Sequence, residues 1–139
     1  MELTINTNKH HELIDITQRV KDFIKQSNIK DGACLIYTKH TTTSIIINEK
    51  EERLLEDIKE FLGKLAPVNK KYKHDEIEKR NCPPDEPENG HAHLKSILLG
   101  SSKIIPIKDK ELELGQWQNI FFCEFDGPRT RKVILKILH

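Results

Sequence analysis

The chain has 139 residues, 36% hydrophobic and 32% charged, with a formal net charge of +1 at pH 7. That length suits one domain able to bury most of the apolar surface of its unfolded chain. The near-balance of charge supplies no field toward nucleic acid or an anionic membrane, and no apolar run reaches the roughly 18 residues a membrane-spanning helix needs.

The first residues, MELTINTNKH, have neither a charged start nor an apolar stretch and do not read as a secretory signal. The three cysteines, Cys34, Cys82 and Cys123, are odd in number and far apart. They fit a reducing cytosol better than a disulfide scaffold, so a cytoplasmic protein is expected. In chain order, residues 2–7 alternate, with Leu3 and Ile5 on one face, and predict a short strand. Asp15 is placed to cap a helix, with Gln18 three residues on as in a capping box. Ile16, Val20, Phe23 and Ile24 recur at helical spacing, so 15–27 reads as an amphipathic helix. Asp31-Gly32 is turn chemistry. Residues 33–38 and 43–48 are β-rich and are joined by the polar link Lys39-His40-Thr41-Thr42.

Leu54, Leu55, Ile58, Phe61, Leu62 and Leu65 form the clearest helical stripe, over 50–65. Residues 66–90 hold four of the six prolines and little apolar content, and read as a long loop; loops of that length are often functional. His91 to Leu99 predicts a short helix closed by Gly100. Strands are expected at 103–107, 111–114, 118–126 and 131–138, with turns at Asp109-Lys110, Gly115 and Gly127-Pro128. The order implies a single α+β domain, 1–139, with a largely antiparallel or mixed sheet and two or three helices.

Several of these segments carry more polar chemistry than a scaffold requires. In KHTTTSIIINE, His40 and four hydroxyl residues run directly into a β-branched block. A turn with several hydroxyls and exposed amides supplies donors for an oxyanion such as phosphate, and the same run also reads as an ordinary Thr-rich strand start. There are seven histidines. A zinc site needs three or four converging N, S or O ligands. His91 and His93 stand two apart, which on a helix is roughly 200° of rotation, so only one of them is expected to enter a given site. His91 aligns with Leu94, Ile97 and Leu98. His74 lies in the charged loop. The cysteines lack metal-knuckle spacing, and Cys123 reads as a core residue.

In FFCEFDGPRTR, alternation puts Glu124 and Asp126 on one face of a strand, with Phe121, Cys123 and Phe125 on the other. Arg129 and Arg131 follow a tight turn. These charges either hold a metal–phosphate pair or pair with each other. Trp117 suits stacking on a planar ring or partial burial.

Taken together, KHTTTSIIINE, YKHDE, NGHAHLKSILLGSSKIIPI and LGQWQNIFFCEFDGPRTRKV resemble the YjbQ family, also called the secondary thiamine-phosphate synthase family, over nearly the whole chain. The resemblance implies an α+β domain that assembles as a homotrimer, with a weak capacity to join a pyrimidine pyrophosphate to a thiazole phosphate. The alternative is a non-catalytic trimeric module for a small anion or metal. The family's polar positions fall here on His40, Thr41, Thr42, Asn48, Glu49, His74, His93, Ser101, Ser102, Glu124, Asp126 and Arg129. On this basis the expected catalytic groups are His40, Glu124 and Asp126. The expected phosphate-binding groups are Thr41, Thr42, Ser101, Ser102 and Arg129, and the expected zinc ligands are His40, His74 and His93. Magnesium on Asp126 or Glu124 is a second option. His91 is an extra imidazole beside the family motif and is not expected to be essential. A phosphorylated small molecule is the expected ligand, without nucleic acid or membrane.

Overall fold

Strand alternation in the sequence is matched by burial in the folded chain. A computed structural model describes all 139 residues, and in it Leu3 and Ile5 of β1 (Glu2–Asn6) and Arg131, Val133 and Leu135 of β8 (Thr130–Leu138) point inward. β1 pairs antiparallel with β8, β8 with β3 (Gly32–Thr38), β3 with β5 (Ser102–Lys108), and β5 with the two-residue β6 (Glu111–Leu112). The resulting five-stranded sheet has the order β1-β8-β3-β5-β6. A second sheet has the order β2-β7-β4, from β2 (Glu12–Asp15), β7 (Asn119–Glu124) and β4 (Thr43–Asn48), again antiparallel. This is the expected α+β domain, with the β-structure divided between two sheets.

β7 explains the layering. Every residue from Ile120 to Asp126 is buried, so both faces of the strand are covered, and Phe121, Cys123 and Phe125 share one face as expected. Ile120 and Phe122 enter the main core with Ile45, Ile36, Val133 and Leu135. Phe121, Cys123 and Phe125 enter a second cluster with Leu62 and Ala92. The three-stranded sheet therefore has an apolar cluster on each face, the circumstance in which strands read as near-continuous apolar runs. Helix α1 (Thr17–Ser27) adds Val20 and Ile24 to the main core. Helices α2 (Glu52–Leu65) and α3 (Gly90–Leu99) meet the second cluster through Leu62 and Ala92.

Three expectations change. Asp15 does not cap a helix: it ends β2, a strand the sequence did not signal, and its carboxylate accepts from the Thr17 amide at 2.9 Å while the helix starts at Thr17. Gln18 bonds Asp22 instead of closing a capping box. Residues 66–90 are irregular as expected, apart from single 3-10 turns at Lys73–Asp75 and Ile77–Lys79.

The third change is the largest. His91 does not share a face with Leu94, Ile97 and Leu98 as their spacing suggested: α3 buries His91, Ala92, Lys95 and Ser96, while Leu94, Ile97 and Leu98 face outward, Ile97 at 78% exposure. Phe61 and Leu65 of α2 are also exposed. No helix is long and apolar enough to cross a membrane.

Candidate functional site

The polar turn at His40 becomes one wall of a cleft. β3 ends at Thr38 and β4 begins at Thr43, and the two threonine hydroxyls bond each other at 2.7 Å. Residues 39–42 are thereby pinned as a turn. The opposite wall is α3 and the residues after it. Ser96 Oγ donates to the Thr43 carbonyl at 2.6 Å, and the Thr38 amide donates to the Ser101 carbonyl at 2.9 Å. The space between has a volume of about 450 Å³ and takes in Lys39, His40, Thr41, His93 and Ser101. No carboxylate lines it.

His40 has a defined role within this wall. Its Nε2 accepts from the Lys132 backbone amide at 3.0 Å. A neutral imidazole that accepts at one nitrogen carries its proton on the other, so Nδ1–H is the group His40 has left to offer. Burial, and then the Arg131 charge, push its pKa below the usual histidine value. An N–H donor of this kind can contact an oxyanion.

His93 stands across the cleft with His74 packed edge-on at a ring separation of 4.5 Å. Gly90 makes this contact feasible. A Cβ there would meet Tyr72 Cβ at 2.6 Å, and the Gly90 amide donates to Asp75 Oδ1 at 2.9 Å, so the loop closes on the start of α3. Burial, and then the neighbouring His74, lower the His93 pKa. Behind this pair, His74 Nε2 is 3.1 Å from Asn89 Oδ1, and Asn89 Nδ2 donates to Asp126 Oδ2 at 2.9 Å. Asp126 also accepts from Arg129 Nη2 at 2.9 Å. Burial works against the Asp126 carboxylate, but hydrogen bonds from Asn89 and Arg129 outweigh it and hold its pKa below the ordinary value.

The residues singled out in the sequence therefore divide into two groups. His40, Thr41, His93 and Ser101 meet at the cleft, with His74 and Asp126 linked behind His93. Thr42 and Glu124 belong to a buried network. Glu124 is fully buried and takes both forks of Arg131, Oε1 from Nε at 2.8 Å and Oε2 from Nη2 at 2.7 Å, while Thr7 Oγ1 donates to Oε1 at 2.8 Å. Thr42 Oγ1 accepts from Arg131 Nη2 at 3.0 Å. Neither reaches the cleft, and the geometry gives Glu124 the part of counter-ion to Arg131.

Arg129 directs Nε to the Asp126 carbonyl and Nη2 to its carboxylate, so its fork is engaged within the turn. Ser102 opens β5, exposed and outside the cleft lining. Asn48 and Glu49 lie at the other end of β4. Trp117 is exposed. Cys34 and Cys123 are buried, and burial raises their pKa to about 11 and about 12, so neither thiol is a nucleophile.

His40, His74 and His93 do not converge as three ligands. The one group of three or more His, Cys, Asp or Glu side chains with ligand atoms within 4.8 Å of one another is His10, His11 and His91. The sequence reasoning passed over His10, His11, Lys95 and Asn89 as site residues; it named Arg131 with ligand binding or ion pairing left open, and the structure shows pairing with Glu124. Arg131 had a signal, since it shares the alternation of Val133 and Leu135.

All of residues 1–139 match the family described as UPF0047 protein YjbQ-like. A UPF0047 protein of Archaeoglobus fulgidus is 50% identical over 138 residues, covering 99% of this chain and all of that one. YugU of Bacillus subtilis is 38% identical over 136 residues, covering 98% of this chain and 96% of the relative. The crystal structure of a YbjQ-like protein from Sulfolobus solfataricus superposes with a TM-score of 0.91 at 36% identity, covering 99% of this chain and 94% of that one. A YjbQ/UPF0047 protein from Clostridium acetobutylicum gives 0.88 at 40% identity, covering 99% of each chain.

Proposed function

Because the chain belongs to the YjbQ-like UPF0047 family, we propose that the His40–His93 cleft binds a phosphorylated small molecule and supports thiamine-phosphate formation from a pyrimidine pyrophosphate and a thiazole phosphate. The observation that carries this reading is the set of polar residues around one cleft: His40 with its Nδ1–H, Thr41, Ser101 and Lys39, whose ammonium also reaches the Glu2 carboxylate at 3.4 Å, with His93 facing them.

In the proposed reaction a bond forms between the pyrimidine methylene carbon and the thiazole nitrogen. The carbon–oxygen bond to pyrophosphate breaks, and pyrophosphate leaves with the electron pair. Such a step needs stabilisation of the leaving anion more than a base, which agrees with a cleft that has hydroxyl, imidazole and ammonium groups and no carboxylate. Zinc near the His74–His93 pair, or magnesium brought in with the pyrophosphate, is the cation class that fits this reading.

The exposed apolar residues of α3, Leu94, Ile97 and Leu98, and those of α2, Phe61 and Leu65, support assembly into a homotrimer. Ile97 belongs both to this group and to the cleft lining, so subunit contact would border the site. Pyrophosphate release measured with both substrates, for the wild type and for His40→Ala and His93→Ala, tests the proposal. Loss of release in both variants, with the fold retained, is expected. The lack of a carboxylate favours a second reading, a non-catalytic anion-binding module. Calorimetric binding of pyrophosphate with no turnover by the wild type would select it.

A further inference from the structure

We propose that His10, His11 and His91 form a second site, separate from the cleft, for a borderline divalent cation of the zinc or cobalt(II) class, with the Asp126 carboxylate beside it. The three imidazoles come from two distant parts of the chain. His10 and His11 lie between β1 and β2, and His91 is in the first turn of α3. Gly127 holds the loop of His10 and His11 against the turn after β7. A Cβ at Gly127 would lie 2.3 Å from the Lys9 carbonyl oxygen, and the Gly127 amide donates to the His10 carbonyl at 3.1 Å. Only glycine lets the loop lie this close to the turn that follows β7.

The resulting rings are near neighbours: 4.5 Å between His10 and His11, 5.4 Å between His10 and His91, and 5.3 Å between His11 and His91. Asp126 Oδ1 is 3.7 Å from His10 Nε2, while Asp126 Oδ2 is held by Asn89 and Arg129. Three imidazoles are the donor set of a zinc or cobalt site with a fourth position open, Asp126 standing beside His10 outside the mutually close group, and nitrogen donors select against magnesium and calcium.

A further observation points to a cation here: the protein already places one among these rings. Lys95 Nζ lies 3.2 Å from His11 Nε2 and 3.1 Å from His91 Nδ1. The lone pairs that accept from this ammonium are those a metal would take, so an incoming ion competes with Lys95. Exposure grades from His10 at the surface through His11 to buried His91, which provides an entry path.

The test titrates the metal-free chain with cobalt(II), read by calorimetry and by the visible bands of a four-coordinate cobalt centre. His10→Ala and His11→Ala alter residues outside the core, so their folding is not at issue, and circular dichroism verifies it. Each should weaken cobalt binding at this site roughly 100-fold and abolish its visible bands, while His40→Ala leaves both unchanged. Lys95→Met, which removes the competing ammonium, should tighten binding about tenfold. Absence of cobalt binding by the wild type, wild-type affinity in His10→Ala and His11→Ala, or loss of the same cobalt in His40→Ala would each overturn the site. Unchanged or weaker binding by folded Lys95→Met would overturn coordination through the two nitrogens that Lys95 occupies. Failure of the synthase assay has no bearing on any of these readouts.

Discussion

Replacing Glu124 with glutamine keeps the shape of the side chain and removes its charge. Arg131, with 7% of its side chain exposed, would then be left with an amide oxygen and Thr42 as partners. Two charge-assisted hydrogen bonds, at 2.8 Å and 2.7 Å, would weaken or vanish. Breaking a buried pair from one side costs about 3–5 kcal/mol, because the surviving charge is buried without compensation. Arg131→Met should cost a similar amount from the other side, since Glu124 is fully buried. The double variant Glu124→Gln/Arg131→Met removes both charges together and should be far less destabilised than two independent losses would imply, with an interaction energy of about 2–3 kcal/mol.

The assay is urea denaturation followed by circular dichroism at one fixed protein concentration, since self-association would shift the transition. In a separate thermal scan, each single variant of a domain of this size should lower the melting temperature by roughly 10–20 °C. If Glu124→Gln loses less than about 1 kcal/mol, the carboxylate is not a structural counter-ion. If the double variant is strictly additive, the two charges do not depend on each other. Either result refutes the assignment of Glu124 to the framework and returns it to the candidates for chemistry.

Acid should weaken the fold through His11 and His91, whose pKa values are pushed down to about 4, by burial first and then by the Lys95 ammonium. An unfolded histidine binds its proton near 6.5, so stability is complete above about pH 6.5 and is lost as pH falls toward 4. The loss is about 3 kcal/mol for fully buried His91, and His91→Gln should flatten a plot of unfolding free energy against pH. Arg129→Lys loses the fork on Asp126 and should cost about 0.5–1 kcal/mol, given the exposure of the pair. Its affinity for pyrophosphate by calorimetry should not change, and a large drop would show that the fork reaches the anion. Ile97→Glu puts a charge on the outward face of α3 and should yield single-chain mass in sedimentation; a persistent trimer would locate the subunit contact elsewhere.

The sequence alone determined those elements whose pattern arises from a single local cause. β1 and β8 were legible because one face of each meets one core, so side-chain burial alternates with the pleat. The helix over 52–65 was legible from its apolar stripe, and α3 from its length and the glycine that stops it. The cleft was partly legible, since the His40 turn and His93 stand out as polar chemistry at element ends. Tertiary structure decided the rest. An apolar stripe does not say whether it faces the chain's own core or another surface, and α3 turns Leu94, Ile97 and Leu98 outward because β4 and β7 are met instead by Ser96 and Ala92. The charges of FFCEFDGPRTR were open between ligand binding and mutual pairing, and only the register of β8 puts Arg131 within reach of Glu124. The His10–His11–His91 group joins residues 80 positions apart, its His10–His11 loop seated on a turn where Gly127 has no side chain, and local spacing cannot encode such proximity.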